Sequence, residues 1–198
     1  IGSIDVINNF PYQDIRDYYA KWYRPDLQGI VIVGDINVDE IEAKLKKVFA
    51  DVKAPVNPAE RIYYPVADNQ EPLIYIGTDK EVKNPSVNIF FKQDATPDSL
   101  KNTIAYYATS YMVSMAMNML NNRLNELRQT ANPPFTSAGA EYGEYFLAKT
   151  KEAFSISASS KIDGIDLATK TILEEAERAR RFGFTATEYD RARANYLQ

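Results

Sequence analysis

The sequence predicts an α+β fold, a mostly antiparallel sheet with helices packed on one face. Three observations predict it. The spacing of apolar residues switches along the chain between the helical period of 3.6 and the strand period of two. Strand candidates come in groups broken by helices, without the strict strand–helix alternation that a parallel sheet needs. One helix candidate, at residues 98–128, would extend roughly 45 Å at 1.5 Å per residue, enough to cross a domain.

Residues 11–22 predict a helix: Pro11 suits its first turn, and Ile15, Tyr18, Tyr19 and Trp22 recur at helical spacing. Arg24-Pro25-Asp26 ends it, because proline disfavours helix in the residue before it. Ile30-Val31-Ile32-Val33, between Gly29 and Gly34, predicts a strand buried on both faces. Asn37 predicts a helix cap, with Glu40 at capping-box spacing. The helix behind it carries Ile41, Leu45, Val48 and Phe49 on one face, and its late lysines suit the dipole. Residues 53–69 hold Pro55, Pro58 and Pro65 without a helical period, which predicts a crossover segment. Residues 73–77 and 86–91 predict two strands around a charged loop.

In the long helix, Ile104, Ala108, Tyr111, Met112, Met115 and Met119 make one stripe, predicted to pack onto the sheet. All four methionines lie in this helix, and helical spacing makes them core fillers rather than an adaptable binding surface. Asn132-Pro133-Pro134 ends the region. Residues 135–145 and 152–160 show period-two patterns and predict an antiparallel pair, on which Tyr142 and Tyr145 could face a peptide. A helix over 163–182 ends at Gly183, and Thr185 or Thr187 caps a last helix through Leu197.

With 198 residues the chain is one domain, or one domain with an attached arm. A net charge of −4 opposes a general nucleic-acid binder, which needs a basic surface to displace counterions. No aliphatic run approaches the length of a membrane span. The chain has no cysteine and no histidine, which excludes disulfides, thiolate or imidazole metal sites and any Ser-His-Asp triad within it. Asp35-Ile36-Asn37-Val38-Asp39 imitates the start of an EF-hand loop, but Glu40 and Lys46 stand where that loop needs Gly and Glu. Arg123 and Arg128, late in the long helix, suit either the dipole or recognition of a carbonyl or carboxylate by a guanidinium fork. Ile1 is not preceded by a Met, and the chain reads as a piece of a longer protein.

Four segments together resemble one family. The stretch from Asp14 to Asp26, with Tyr18-Tyr19-Ala20-Lys21-Trp22-Tyr23-Arg24-Pro25, followed by Ile30-Val31-Ile32-Val33-Gly34-Asp35-Ile36, is similar to a passage of the M16 (pitrilysin/insulinase-type) zinc metallopeptidases. Val48-Phe49 matches the end of its next helix, and Asn122-Arg123-Leu124-Asn125-Glu126-Leu127-Arg128 resembles the family's "SRLfxxLRe" helix. Thr187-Glu188-Tyr189-Asp190-Arg191-Ala192 resembles its "eeELerAk" helix. No single motif is specific; their order and spacing are.

The resemblance implies the second, non-metal domain of that family, residues 10–198, with residues 1–9 as the tail of a preceding zinc domain. It implies no catalytic residue, metal or cofactor in this chain, and zinc at an H-x-x-E-H motif upstream. The domain would close a chamber and confine an extended peptide able to pair with a strand edge. Its partners would be the zinc domain, a second M16 half or subunit, and peptide substrates, with no nucleic acid and no membrane span.

In the C-terminal halves of family members an Arg and a Tyr seven residues later assist the substrate carbonyl. Here Arg128 is followed at that spacing by Phe135, and Asn132-Pro133-Pro134 replaces the usual Glu-Gly-Leu. The missing hydroxyl points to the N-terminal half. Arg128, Arg123 and Phe135 are the candidates for substrate contact. Two other readings are a catalytically inactive M16-like scaffold or processing subunit and a free-standing peptide-binding module. Location is left open between bacterial periplasm and cytoplasm.

Overall fold

A computed structural model describes residues 2–197, so Ile1 and Gln198, with the parts of the 1–9 and 10–198 assignments that fall on them, lie outside the described residues. The chain divides into two compact units, one up to Ile62 and one from Tyr63 onward.

The first unit holds three helices, α1 (Ile4–Asn9), α2 (Tyr12–Trp22) and α3 (Val38–Val48). Asn37 caps α3 as its position predicts: its side-chain oxygen accepts from the backbone N–H groups of Asp39 and Glu40 at 3.1 and 3.3 Å. None of the three helices has a buried residue. The α2 stripe of Ile15, Tyr18 and Tyr19 is exposed.

Residues 30–33, expected as a buried strand, form none, and Val31 and Val33 are 87% and 91% exposed. In the second unit the expected strand over 73–77 is also absent, with Leu73, Ile74, Tyr75 and Ile76 all exposed. An apolar run supplies side chains for a sheet, whereas a strand exists only where a ladder partner takes its backbone groups. Neither segment has such a partner among the described residues.

The second unit is a three-stranded antiparallel sheet in the order β1-β3-β2, with β1 Ser86–Asp94, β2 Ser137–Tyr145 and β3 Ala148–Ser159. Its helices are α4 (Ile104–Arg128), α5 (Ile165–Phe182) and α6 (Ala186–Tyr196). Thr103 caps α4 through the Tyr106 N–H, so the helix starts six residues inside the expected 98–128 span, behind a 3-10 turn at Asp98–Leu100. Gly183 ends α5 at φ 67°, a conformation side-chain-bearing residues rarely adopt. Thr185 and Glu188 then form a full capping box on α6.

Strand alternation puts Ile89, Ile156 and Ala140 in one cross-strand row and Val87, Ala158 and Ala138 in the next. This face packs on Leu120 and Leu124 of α4 and on Ala168 and Ile172 of α5, with Phe135 buried among them. Met115 and Met119 do not pack on the sheet as expected; they form a second cluster with Ala192 of α6. Periodicity shows that a helix face is buried but not by which neighbour. The start of the stripe is uncovered, with Ile104 88% and Met112 60% exposed.

Candidate functional site

The helices cover one face of the sheet, and the opposite face holds a trough of about 580 Å³. Its rows are set by register: Asn88, Ser157 and Gly139; Phe90, Ser155 and Glu141; Lys92, Ala153 and Gly143. Small side chains dominate the floor, so an extended chain could come close to the sheet backbone. A Cβ placed on Gly143 would meet nothing within 4 Å. The Ser155 hydroxyl donates to Glu141 across the strands at 3.2 Å.

One end of the trough is an aromatic corner. Phe90, Tyr145 and Phe146 stand with ring centroids 4.8 to 5.6 Å apart. Phe146 begins the two-residue turn between β2 and β3 at φ 52°, where a bulky side chain costs about 1–2 kcal/mol. Tyr145 faces this trough. Tyr142, one pleat away, turns to the helix side and donates to Glu152 at 2.8 Å. Burial, then Glu152 itself, pushes the Tyr142 phenol up to about 12. Glu152 also accepts from the Thr96 N–H and hydroxyl at 3.2 and 3.3 Å. Beyond the trough, Lys151 is buried and its ammonium binds Asp68 and Asp94 at 2.6 and 2.7 Å. These hydrogen bonds raise the Lys151 pKa, and the Lys151 hydrogen bond lowers that of Asp68.

The three residues singled out in the sequence lie in different surroundings. Phe135 is 2% exposed inside the sheet–helix core. Arg123 is buried against α6: its Nη2 donates to Glu188 and to the Gly183 carbonyl, each at 3.0 Å, and its guanidinium lies 4.5 Å from the Phe184 ring. The Arg123 hydrogen bond is the main reason the Glu188 carboxyl falls to about 2. Arg128 is exposed, and its guanidinium has no partner among the described residues. Apart from Tyr145, the trough residues were missed in the sequence. The signal was small residues at even spacing, Gly139 with Gly143 and Ser155 with Ser157, read as strand pattern alone.

Among the described residues no group of three His, Cys, Asp or Glu side chains could hold a metal ion. The carboxylates nearest the trough and its ends are engaged with Ser155, Lys149, Lys151, Thr96 and Tyr142. The donor set here does not fit zinc, whose usual protein sites include imidazole or thiolate ligands beside any carboxylate. No helix among the described residues is long and apolar enough to cross a membrane.

Residues 9–196 match the model of the Peptidase M16 inactive domain. A probable zinc protease PqqL from Haemophilus influenzae is 28% identical over 131 residues, 64% of this chain and 13% of that protein. The crystal structure of the periplasmic protease PqqL from Escherichia coli superposes on all of this chain and 21% of its own, with TM-score 0.72 and 20% identity. The structure of the first half of that protease gives TM-score 0.71 at 20% identity, over 99% of this chain and 41% of that one. The chain thus spans about a fifth or less of the length of these full-length relatives. The shared α+β architecture and the match over almost the whole sequence place the chain in the M16 peptidase family, as its inactive domain.

Proposed function

We propose that this domain is the non-catalytic wall of a peptidase chamber in a longer M16 zinc metalloendopeptidase. It confines an extended peptide while the bond is cleaved at zinc on another domain. The observation that carries this reading is the one-sided sheet: α4 and α5 cover one face, and the other is a trough floored by Gly139, Gly143, Ala153, Ser155 and Ser157. Residues 10–198 are the domain, residues 53–69 its crossover, and residues 1–9 the tail of the zinc domain before it. The match over 9–196 supports those limits, and the unit boundary after Ile62 falls within the crossover. Likeness to the first half of PqqL supports the N-terminal half of the parent protein.

The exposed apolar residues of α2 support packing against the preceding zinc domain, or against a second M16 half. Among the three candidates, exposed Arg128 is the one a substrate can reach. A periplasmic relative supports a bacterial periplasmic location.

The test is Gly143→Trp in the full-length protein, where the indole would occupy the trough. Peptide kcat/KM should fall about tenfold or more, through lost substrate positioning, with zinc content and Tm unchanged. Unchanged kcat/KM, or a wild-type protein that cleaves no peptide, would overturn the reading.

A further inference from the structure

Among the described residues β2 is an edge strand, paired only with β3. Such an edge offers unpaired N–H and C=O groups on which an extended chain can add as a further strand. Ala140, near the middle of β2, does not offer them. Its N–H donates to the Asn121 side-chain oxygen at 2.9 Å, and its carbonyl accepts from the Asn121 Nδ2 at 2.8 Å. The Asn121 Nδ2 also donates to the Met117 carbonyl, one helical turn back, at 2.9 Å. These three bonds settle which end of the amide is oxygen and which nitrogen, and they fix the rotamer.

We infer that the Asn121 amide closes the β2 edge to strand addition, so that an extended peptide is turned away from this edge and left the open face of the sheet. The side-chain amide imitates the peptide group of a neighbouring strand and makes the same pair of bonds with Ala140. An incoming strand would have to break both, leaving the half-buried Asn121 oxygen unpaired and its nitrogen with the Met117 carbonyl alone. Asparagine is a poor residue for a helix interior, because its side chain competes for backbone groups. Here it spends that tendency on a strand outside the helix. The inference rests on the chamber reading only for the identity of the excluded partner, a substrate peptide; the closure itself is a property of the sheet.

Hydrogen–deuterium exchange at the Ala140 amide of the full-length protein tests this. The protein would be compared as wild type, Asn121→Ala and Asn121→Asp, with and without a synthetic nonapeptide of the β2 sequence, SAGAEYGEY. The wild-type amide should exchange slowly although it lies on an edge. Asn121→Ala should speed it about tenfold or more. Asn121→Asp keeps the acceptor but sets a carboxylate oxygen against the Ala140 and Met117 carbonyls, so exchange should fall between wild type and Asn121→Ala. The nonapeptide should slow Ala140 in Asn121→Ala and leave the wild type unaffected. Equal exchange in wild type and Asn121→Ala, or a nonapeptide footprint on wild-type β2, would overturn the inference. If Asn121→Ala fails to fold, slow wild-type exchange at Ala140 and the wild-type footprint still decide it. No readout depends on peptidase activity, so failure of the chamber reading would be seen separately.

Discussion

Arg123 illustrates how far a single residue can be read. The sequence offered its guanidinium either to the helix dipole or to a substrate carbonyl or carboxylate; in the fold it is buried on a carboxylate of its own chain. That carboxylate is Glu188, which lies 65 positions away on α6, so no local pattern could supply it. Folding holds the Glu188 carboxyl at about 2, against 4.5 for an ordinary glutamate. A lowered folded pKa stabilises the native state above the unfolded value and loses that contribution as pH falls through the folded one. In Glu188→Gln the buried guanidinium keeps its place without an anion, costing about 2–3 kcal/mol at neutral pH. The Tm gap between wild type and Glu188→Gln should be widest above pH 4.5 and shrink as pH falls toward 2. Thermal melts across that range measure it. A gap independent of pH would mean that the pair does not couple to folding. For Phe135 the absence of a hydroxyl was visible in the sequence, but not which residues, Leu124 and Ile156 among them, it packs with.

At the scale of elements, local chemistry was the most legible part. The Asn37 and Thr185 caps, the Gly183 stop, and the hairpin of β2 and β3 stand close to where turn and capping rules put them. The failures were elements whose existence depends on a distant neighbour. Residues 30–33 and 73–77 have strand composition, but composition does not provide a ladder. The methionine stripe had the right period and the wrong partner, α6 in place of the sheet. Met115 is 3% exposed beside Met119 and Ala192. Met115→Asp would put a carboxylate among these apolar side chains, at a cost of several kcal/mol. We expect α6 to detach or the domain to unfold, seen as lost exchange protection across 186–196 or lost expression of soluble protein. Met112→Asp, on the exposed part of the same helix, is the control and should shift Tm little. Wild-type protection of α6 in Met115→Asp would show that the second cluster does not hold it.

For the whole molecule, absent residue types decided more than any motif. With no histidine and no cysteine, a zinc site in this chain would have to be assembled from carboxylates alone. The fold commits key carboxylates elsewhere: Asp68 and Asp94 to Lys151, Glu177 to Arg180 and Arg181, Glu188 to Arg123. Freeing Glu177 or Glu188, or both aspartates of Lys151, for a metal would leave a cation uncompensated, which raises the cost of a site that already lacks nitrogen and sulfur donors. The 198-residue chain by itself should therefore retain no stoichiometric zinc after dialysis and cleave no peptide. Elemental analysis paired with a peptide-cleavage assay checks both halves. One tightly held zinc per chain, or cleavage that a chelator stops, would show that this domain carries catalytic machinery of its own. The same assay on the full-length protein should find chelator-sensitive cleavage there, because in our proposal the metal belongs to the preceding domain and this one contributes the surface against which the peptide is held.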